Sequence, residues 1–446
     1  MAFAVYDRVK ESSSTTGTGA ITLSGAASNY VTFNTGVGLN NFTWYCINNL
    51  SANEWEVGWG QLTGATTLTR VKVHSSTNSN ALVNFSAGTK EVFVTQPSAF
   101  NNQTLGRTNM VINPHGSIQQ ETTTPFTITA GVYFADQWIA AKTSSTGVSQ
   151  AGVTTGTVSS YDPSYIFLKT TTAQGSLAAG DFVIGFQPIE GNYTRRLLYG
   201  GSTAKGSWLR FRASCTQSAT CSVAIRNNAA DRSFVQSFAV TTTPTDFFVY
   251  VPGDTTGTWP TGTGGAANVS FCHSAGTTFQ TATLGSWQAG NFFAANTQTN
   301  LLGTLNAQLN ITDVQWSASD VLLPFEPIDY AQELLRCQRY FWKLTTNGST
   351  DFYLPGGVIE NSGVSIVFGW ALPTTMRAAP TVGSSGTIDI YDGTNVTSLV
   401  SLTTNGNTPE RVAGVWSLSG ALGAGRSVMW ILRNGSSATL THSARI

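Results

Sequence analysis

The chain has 446 residues, of which 41% are hydrophobic and only 10% charged, with Lys+Arg 23 balancing Asp+Glu 23. At about 100–200 residues per domain this suggests two to four domains with sizeable apolar cores. The balanced charge offers no global field for nucleic acid or an anionic membrane, and no apolar run approaches the ~20 residues of a bilayer span. The opening "MAFAVYDRVKESSS" lacks a basic stretch followed by an apolar one, so no leader is expected.

From Ala20 to Thr95 short strand-like runs recur: "YVTFNT", "FTWYCI", "EWEVGWGQL", "TRVKVH" and "KEVFVTQP". In "EWEVGWGQL", Trp55, Val57 and Trp59 fall on one face and Glu54, Glu56 and Gly58 on the other, the period of two of a half-buried strand. Pro97 and the polar run behind it close a β-domain spanning residues 1–100. A larger block, residues 101–328, follows. It holds "GDFVIGFQ", "SWLRFRASC", "CSVAIRNN", "FVQSFAV", "DFFVYVPG", "NVSFCHSA" and "NITDVQWSA". Many short strands with few helical segments predict a sandwich or jelly roll. Near its start, "YFADQWIAAK" reads as a strand or a brief turn.

"DYAQELLRCQRYFWKL", Asp329 to Leu344, is nearly the only stretch with apolar residues at helical spacing. Asp329 can cap a helix, Gln332 suits a capping box, and Gly348 ends the pattern. Tyr330, Leu334 and Phe341 form a stripe that Leu335 and Trp342 widen. The prediction is a helix of about 13 residues, too short to stand alone. Residues 345–446 return to strands, including "GVSIVFGWAL", "GTIDIYDG", "AGVWSLSG" and "SVMWILRNG", with Val364, Ile366, Phe368 and Trp370 on one face. The expected fold is all-β: three successive β-sandwich or jelly-roll domains with one short linking α-helix.

Chemistry-bearing groups are sparse. The five cysteines, Cys46, Cys215, Cys221, Cys272 and Cys337, are odd in number, and no Cys/His spacing suits zinc. Cys215 and Cys221 flank "TQSAT", where a hairpin bridge stays open beside the expectation of reduced, buried thiols. His74, His115, His273 and His442 are scattered, and no nucleophile, phosphate-loop or dinucleotide motif is present. Two carboxylate pairs, Glu54 with Glu56 and Asp389 with Asp392, have the residue types of a glycosidase. Pairs this ordinary arise by chance, so no enzyme, cofactor or metal is expected. For binding, "SWLRFRA" places Leu209, Phe211 and Ala213 on one face and Trp208, Arg210 and Arg212 on the other. A ring beside two guanidiniums on an open sheet could stack on a sugar and pair an acidic group. The alternative is that Trp208 covers a second core with the arginines at its rim. A second candidate is the turn "YDGTN", with Tyr391 and Asp392.

Several stretches carry a resemblance: "NMVINPHGSIQQ", "ADQW", "VPGDTTGTW", "LGSWQAGNF", "ITDVQWSASDVLLPFEP", "ELLRCQRYFWK" and "MRAAPTV". Together they resemble bacteriophage tail fibres or receptor-binding proteins that contain a carbohydrate-binding-module-like jelly roll. Residues 1–100, with "FSAGTKEVFVTQP", look like the virion-anchoring region of such fibres. The resemblance implies a homotrimer in the virion, part of the tail, that attaches to a host cell-surface receptor, a glycan or a protein. It also implies that a tail or baseplate protein binds through the first domain, with residues 345–446 as the receptor-binding tip. The alternatives are a tailspike-type glycan-degrading enzyme and a purely structural fibre or decoration protein. Related modules place a structural calcium near the last strand, where Asp313 stands here without an acidic cluster. In this picture Tyr330, Leu334, Leu335 and Phe341 meet their copies on a three-fold axis.

Overall fold

The computed structural model describes residues 3–96, 109–121, 125–129, 131–319, 322–346, 351–360, 362–404 and 406–446. Pro97, the polar run after it and Gly348 lie outside the described residues. The all-β expectation holds, and the strands gather into three units in chain order.

The first unit is a six-stranded antiparallel sheet built from β1 (Lys10–Ser13), β2 (Ile21–Thr22), β3 (Phe42–Asn49), β4 (Glu54–Gly64), β5 (Thr67–Ser76) and β6 (Lys90–Val94). Its order is β1-β6-β3-β4-β5-β2. The alternation predicted for β4 is present, but both of its faces are covered. Trp59 points toward the next unit, and Glu56 points into this unit's own interior, each fully buried. Glu56 is tolerated there because Arg70 Nη1 (3.0 Å), the Tyr45 hydroxyl (2.6 Å) and the Val83 N–H (2.8 Å) all donate to it. The run "YVTFNT" corrects an expectation. Thr32 accepts from the Thr35 N–H at 3.1 Å and caps a single helical turn, Phe33–Gly36, where a strand was predicted.

The second unit is a two-sheet sandwich. One sheet comprises β7 (Phe126–Thr127), β10 (Val148–Thr155), β11 (Ser164–Thr172), β13 (Ser207–Cys215), β16 (Thr245–Val251) and β21 (Gln308–Ser317). Facing it are β8 (Val132–Ala135), β9 (Trp138–Thr143), β12 (Phe182–Glu190), β14 (Ala219–Asn227), β15 (Arg232–Val240), β17 (Gly265–Ala275) and β19 (Trp287–Ala289). A small parallel pair, β18 (Gln280–Thr281) with β20 (Ala294–Ala295), packs on the outside of the second sheet, where the Ala295 N–H donates to the Ser222 hydroxyl at 2.9 Å. The sheet orders are β16-β13-β21-β11-β10-β7 and β19-β15-β14-β17-β12-β9-β8, so the chain crosses repeatedly between layers as a jelly roll requires. "YFADQWIAAK" is the β8–β9 hairpin. The core between the sheets includes Leu209, Phe211, Val223, Phe271 and Trp316. Cys215 and Cys221 are both free and buried there, so the bridge left open is not formed.

The helix is shorter than predicted. It spans Tyr330–Gln338, capped by Asp329, whose Oδ1 accepts the Ala331 N–H at 2.9 Å. Its inward face is carried by Glu333 and Cys337, with Leu334 half-buried against Cys337, Tyr340, Ile112 and Ile118. Glu333 accepts the Asn113 N–H at 2.5 Å and pairs Arg336, which itself donates to Asn109 O at 2.6 Å. The helix therefore clasps the opening segment of its own sandwich. The predicted stripe is not one surface. Tyr330 (63%) and Leu335 (45%) are exposed, whereas Phe341 is 5% exposed and belongs to the next strand. Helical spacing continues through "RYFWKL", but a partner strand a hundred residues later takes those residues out of the helix.

That strand, β22 (Phe341–Thr345), pairs with β30 (Thr439–Ser443), which also pairs with β25 (Thr381–Ser385). The remaining strands of the last unit close into a barrel in the order β23-β24-β28-β27-β26-β29. These are β23 (Phe352–Ile359), β24 (Ser365–Ala371), β26 (Ile388–Tyr391), β27 (Val396–Thr404), β28 (Arg411–Leu418) and β29 (Ser427–Leu432). Ile366, Phe368, Trp416 and Trp430 fill it, and the two indoles lie 3.9 Å apart. Among the described residues, closing the sheet pairs each of these six strands with two neighbours, which removes the open edges of a flat sheet.

Cations join the last unit to the sandwich. Arg339 makes a bidentate pair with Glu190 (3.0 and 2.7 Å), and Arg377 donates to the carbonyls of Thr263, Ala444 and Arg445. Arg445 lies over the rings of Tyr133 and Phe341. At Glu190 burial acts to raise the pKa, but hydrogen bonds from Arg339, Tyr340 and Asn192 outweigh it and hold the carboxyl below its usual range.

Two buried histidines make the fold sensitive to acid. Burial lowers His273 and His442 from 6.5 to about 4 each. The unfolded chain takes up these protons near pH 6.5 and the folded chain only near 4, so stability present above 6.5 falls as pH drops through that window. At pH 4.5 each histidine should have cost about 2–3 kcal/mol. His442 stacks on Trp342 at 4.7 Å, so His442→Phe should flatten the acid limb of the last unit. Denaturant unfolding at pH 7 and 4.5 measures this, and equal pH slopes for variant and wild type would count against it.

Candidate functional site

The residues singled out in the sequence lie in places that already occupy them. Along β13 the predicted alternation is correct, with Leu209, Phe211 and Ala213 inside. The opposite face is not open: Trp208 is 3% and Arg210 6% exposed. Trp208 packs edge-on against Trp59 of the first unit at 5.0 Å and against Tyr250 at 5.2 Å, within a cluster that includes Trp44, Leu322 and Leu323. Arg212 pairs Asp246 at 3.2 Å and donates to Val158 O at 2.6 Å. Arg210 approaches the same carboxylate at 3.6 Å and lies over Phe248 and Phe325. The ring and both guanidiniums form an inter-unit core and its rim, which is the alternative the sequence left open.

The turn of Tyr391 and Asp392 is structural as well. Backbone N–H groups of Asn395, Gly423 and Thr394 bind the Asp392 carboxylate and hold its pKa down at about 2, while the Tyr391 hydroxyl donates to Gly393 O. The two carboxylate pairs are separated by their partners. Glu54 binds Asn49 and the Ser86 N–H, Glu56 binds Arg70, and Asp389 binds Arg433 (2.6 Å) and Ser398.

Asp313 is the bulged residue of β21, with φ +53, where the register against β13 shifts. One of its oxygens meets His115 Nδ1 at 3.0 Å and accepts from the Ser159 hydroxyl at 2.6 Å. An imidazole beside the carboxylate does not fit a hard cation that wants several oxygen ligands. Among the described residues no three His, Cys, Asp or Glu side chains gather to hold a metal.

One open feature of the sandwich lies between two loops that the sequence reading did not single out for binding, one of them within the "VPGDTTGTW" stretch quoted for its resemblance. A cleft of about 310 Å³ is lined by Arg195, Leu198, Tyr199, Thr203, Trp259 and Thr261, among others. Asp254 builds it. Fully buried, it receives a bidentate pair from Arg232 (2.9 and 2.6 Å) and the Thr256 N–H, while its carbonyl accepts the Gly200 N–H at 2.8 Å. Both loops need glycine where they touch. Gly200 (φ +86) would bring a Cβ to 2.8 Å from Gly257 O, and Gly257 (φ +79) to 2.6 Å from Arg232 Cγ.

The aromatic wall is braced from behind. Tyr199 meets Trp259 at 4.9 Å and Trp287 at 5.6 Å, both edge-on, and Trp259 meets Trp287 at 5.3 Å. Hydrogen bonds orient each polar tip: the Tyr199 hydroxyl with Ser207, Trp259 Nε1 to Thr256 O, and Trp287 Nε1 to Pro252 O. Burial pushes the Tyr199 phenol well above its ordinary pKa, so it stays neutral. The signal in the sequence was a basic-aromatic loop, "TRRLLYGG", and a lone Trp in a Gly/Thr run, "GDTTGTW", with Tyr199 and Trp259 60 residues apart. Only the fold brings them together.

Fold and cleft together define an all-β, multi-unit chain with a pre-formed aromatic recess on its central sandwich. No family model matches the chain, and no curated protein matches it. Solved structures give partial likenesses. A family 4 carbohydrate-binding module is 16% identical over 41% of this chain and 94% of its own, with TM-score 0.23. A family 11 carbohydrate-binding module from Clostridium thermocellum, in complex with a β-1,3-1,4-mixed-linked tetrasaccharide, is 10% identical over 42% and 95%, with TM-score 0.23. The N-terminal cellulose-binding domain of β-1,4-glucanase C from Cellulomonas fimi is 14% identical over 36% and 80%, with TM-score 0.21. At these values the likenesses carry no argument about the ligand of this chain.

Proposed function

We propose that this chain is a tail-fibre-type attachment protein of a phage virion, binding a host-surface glycan without turning it over. The observation that carries the glycan reading is the cleft, where half-buried Trp259 and Tyr199 stand beside exposed Arg195 and several threonines. Aromatic faces suit the C–H faces of a pyranose, and hydroxyls with backbone groups suit its polar rim. The proposed assembly is a homotrimer, anchored to a tail or baseplate protein through residues 1–100, as the sequence resemblance implies.

Trp259→Ala is expected to weaken binding of purified host-surface polysaccharide about 10–30-fold. The β-type circular dichroism should be unchanged, because Trp259 lies at the sandwich surface. Unaltered binding would overturn the cleft as the site. Sustained release of reducing sugar from the same polysaccharide would overturn the non-catalytic role. A full-length chain that sediments as a monomer at micromolar concentration would overturn the trimer.

A further inference from the structure

Resting on that reading, we infer that the cleft is built for an acidic saccharide, a pyranose bearing a carboxylate, with Arg195 as the residue that selects it. None of the residues lining the cleft is acidic. Two buried carboxylates on the adjoining segments are already neutralised by other arginines: Asp254 by Arg232 at 2.6 Å and Glu190 by Arg339 at 2.7 Å. Arg195 is exposed on the cleft wall, so its charge is the one the recess presents to solvent.

The backbone fixes where that side chain leaves the cleft wall. Arg195 begins a tight 3₁₀ turn, Arg195–Leu197, that ends at Leu198 in the left-handed region, φ 54. The turn is tied back where Lys205 N–H donates to Leu197 O at 2.8 Å and Gly200 N–H to Asp254 O. A guanidinium at this position presents a planar fork, which matches a carboxylate by two parallel hydrogen bonds and cannot lose its charge. The Trp259 and Tyr199 wall then takes the apolar face of the same ring. A neutral sugar would use the wall alone, and an acidic one would use wall and fork together.

The test is titration calorimetry of the full-length chain with glucuronate- and N-acetylneuraminate-terminated oligosaccharides and their carboxyl-reduced counterparts. The expected result is that at least one acidic sugar binds roughly tenfold or more tightly than its reduced form. That advantage should vanish in Arg195→Gln and shrink at high salt. Arg195→Gln should still bind the reduced sugar as wild type does, which a merely structural role for Arg195 would not allow. Equal affinity of acidic and reduced forms in wild type would overturn the acidic specificity and leave the glycan reading standing. No binding of either form would overturn both.

Discussion

Glu56→Ala is expected to remove about 3–5 kcal/mol of stability from the first unit, because it leaves the Arg70 guanidinium buried without its counter-charge. Both side chains are essentially inaccessible, at 1% for Arg70 and 0% for Glu56. Arg70 retains carbonyl partners at Gly17, Gly19 and Val83, but none carries charge. The Tyr45 hydroxyl and the Val83 N–H would lose their acceptor in the same step. Replacing both members, as Glu56→Leu with Arg70→Met, should recover much of the loss, since an apolar pair of similar volume carries no desolvation penalty. Denaturant unfolding followed by fluorescence gives the answer. A single-variant loss under about 1 kcal/mol would mean that the pair is solvated and not a core element.

Trp59→Ala is expected to separate the first unit from the sandwich while leaving both folded. The indole is fully buried, yet the residues around it come from two units: Trp44, Phe3 and Phe42 from its own, and Trp208 and Phe248 from the other. Truncation of a buried Trp costs about 3–5 kcal/mol, and here much of that falls on the contact between units. The first unit keeps its separate interior of Phe33, Tyr45, Ile47, Leu68 and Val92, and the sandwich keeps its own. Small-angle scattering should show a larger radius of gyration with unchanged β-type circular dichroism. An unchanged radius would show that the aromatic cluster does not hold the units together, and loss of the β signal would show that Trp59 belongs to a core the first unit cannot fold without.

The all-β class was legible from the residues because period-two alternation is a local property of a pleated strand. The inward face of β13, the face of Ile366 and Phe368, and the Asp329 cap all emerged from spacing of a few residues. What the alternation could not tell was which layer would cover the other face. Trp208 with Arg210 and Arg212 has the pattern of an open binding surface, and an indole 149 residues earlier in the chain, Trp59, closes it. The helix ended early for the same reason: "FWKL" keeps helical spacing, yet pairing with β30 offers those residues a ladder that no local pattern announces. Glu56 reads as a solvent-facing strand residue until Arg70 is brought beneath it. The sequence by itself determined where strands run and which residues could be polar or apolar at each step. The tertiary structure alone decided which charges meet, which faces stay open, and that Arg195, Tyr199 and Trp259 share one cleft, because those depend on contacts between residues far apart along the chain.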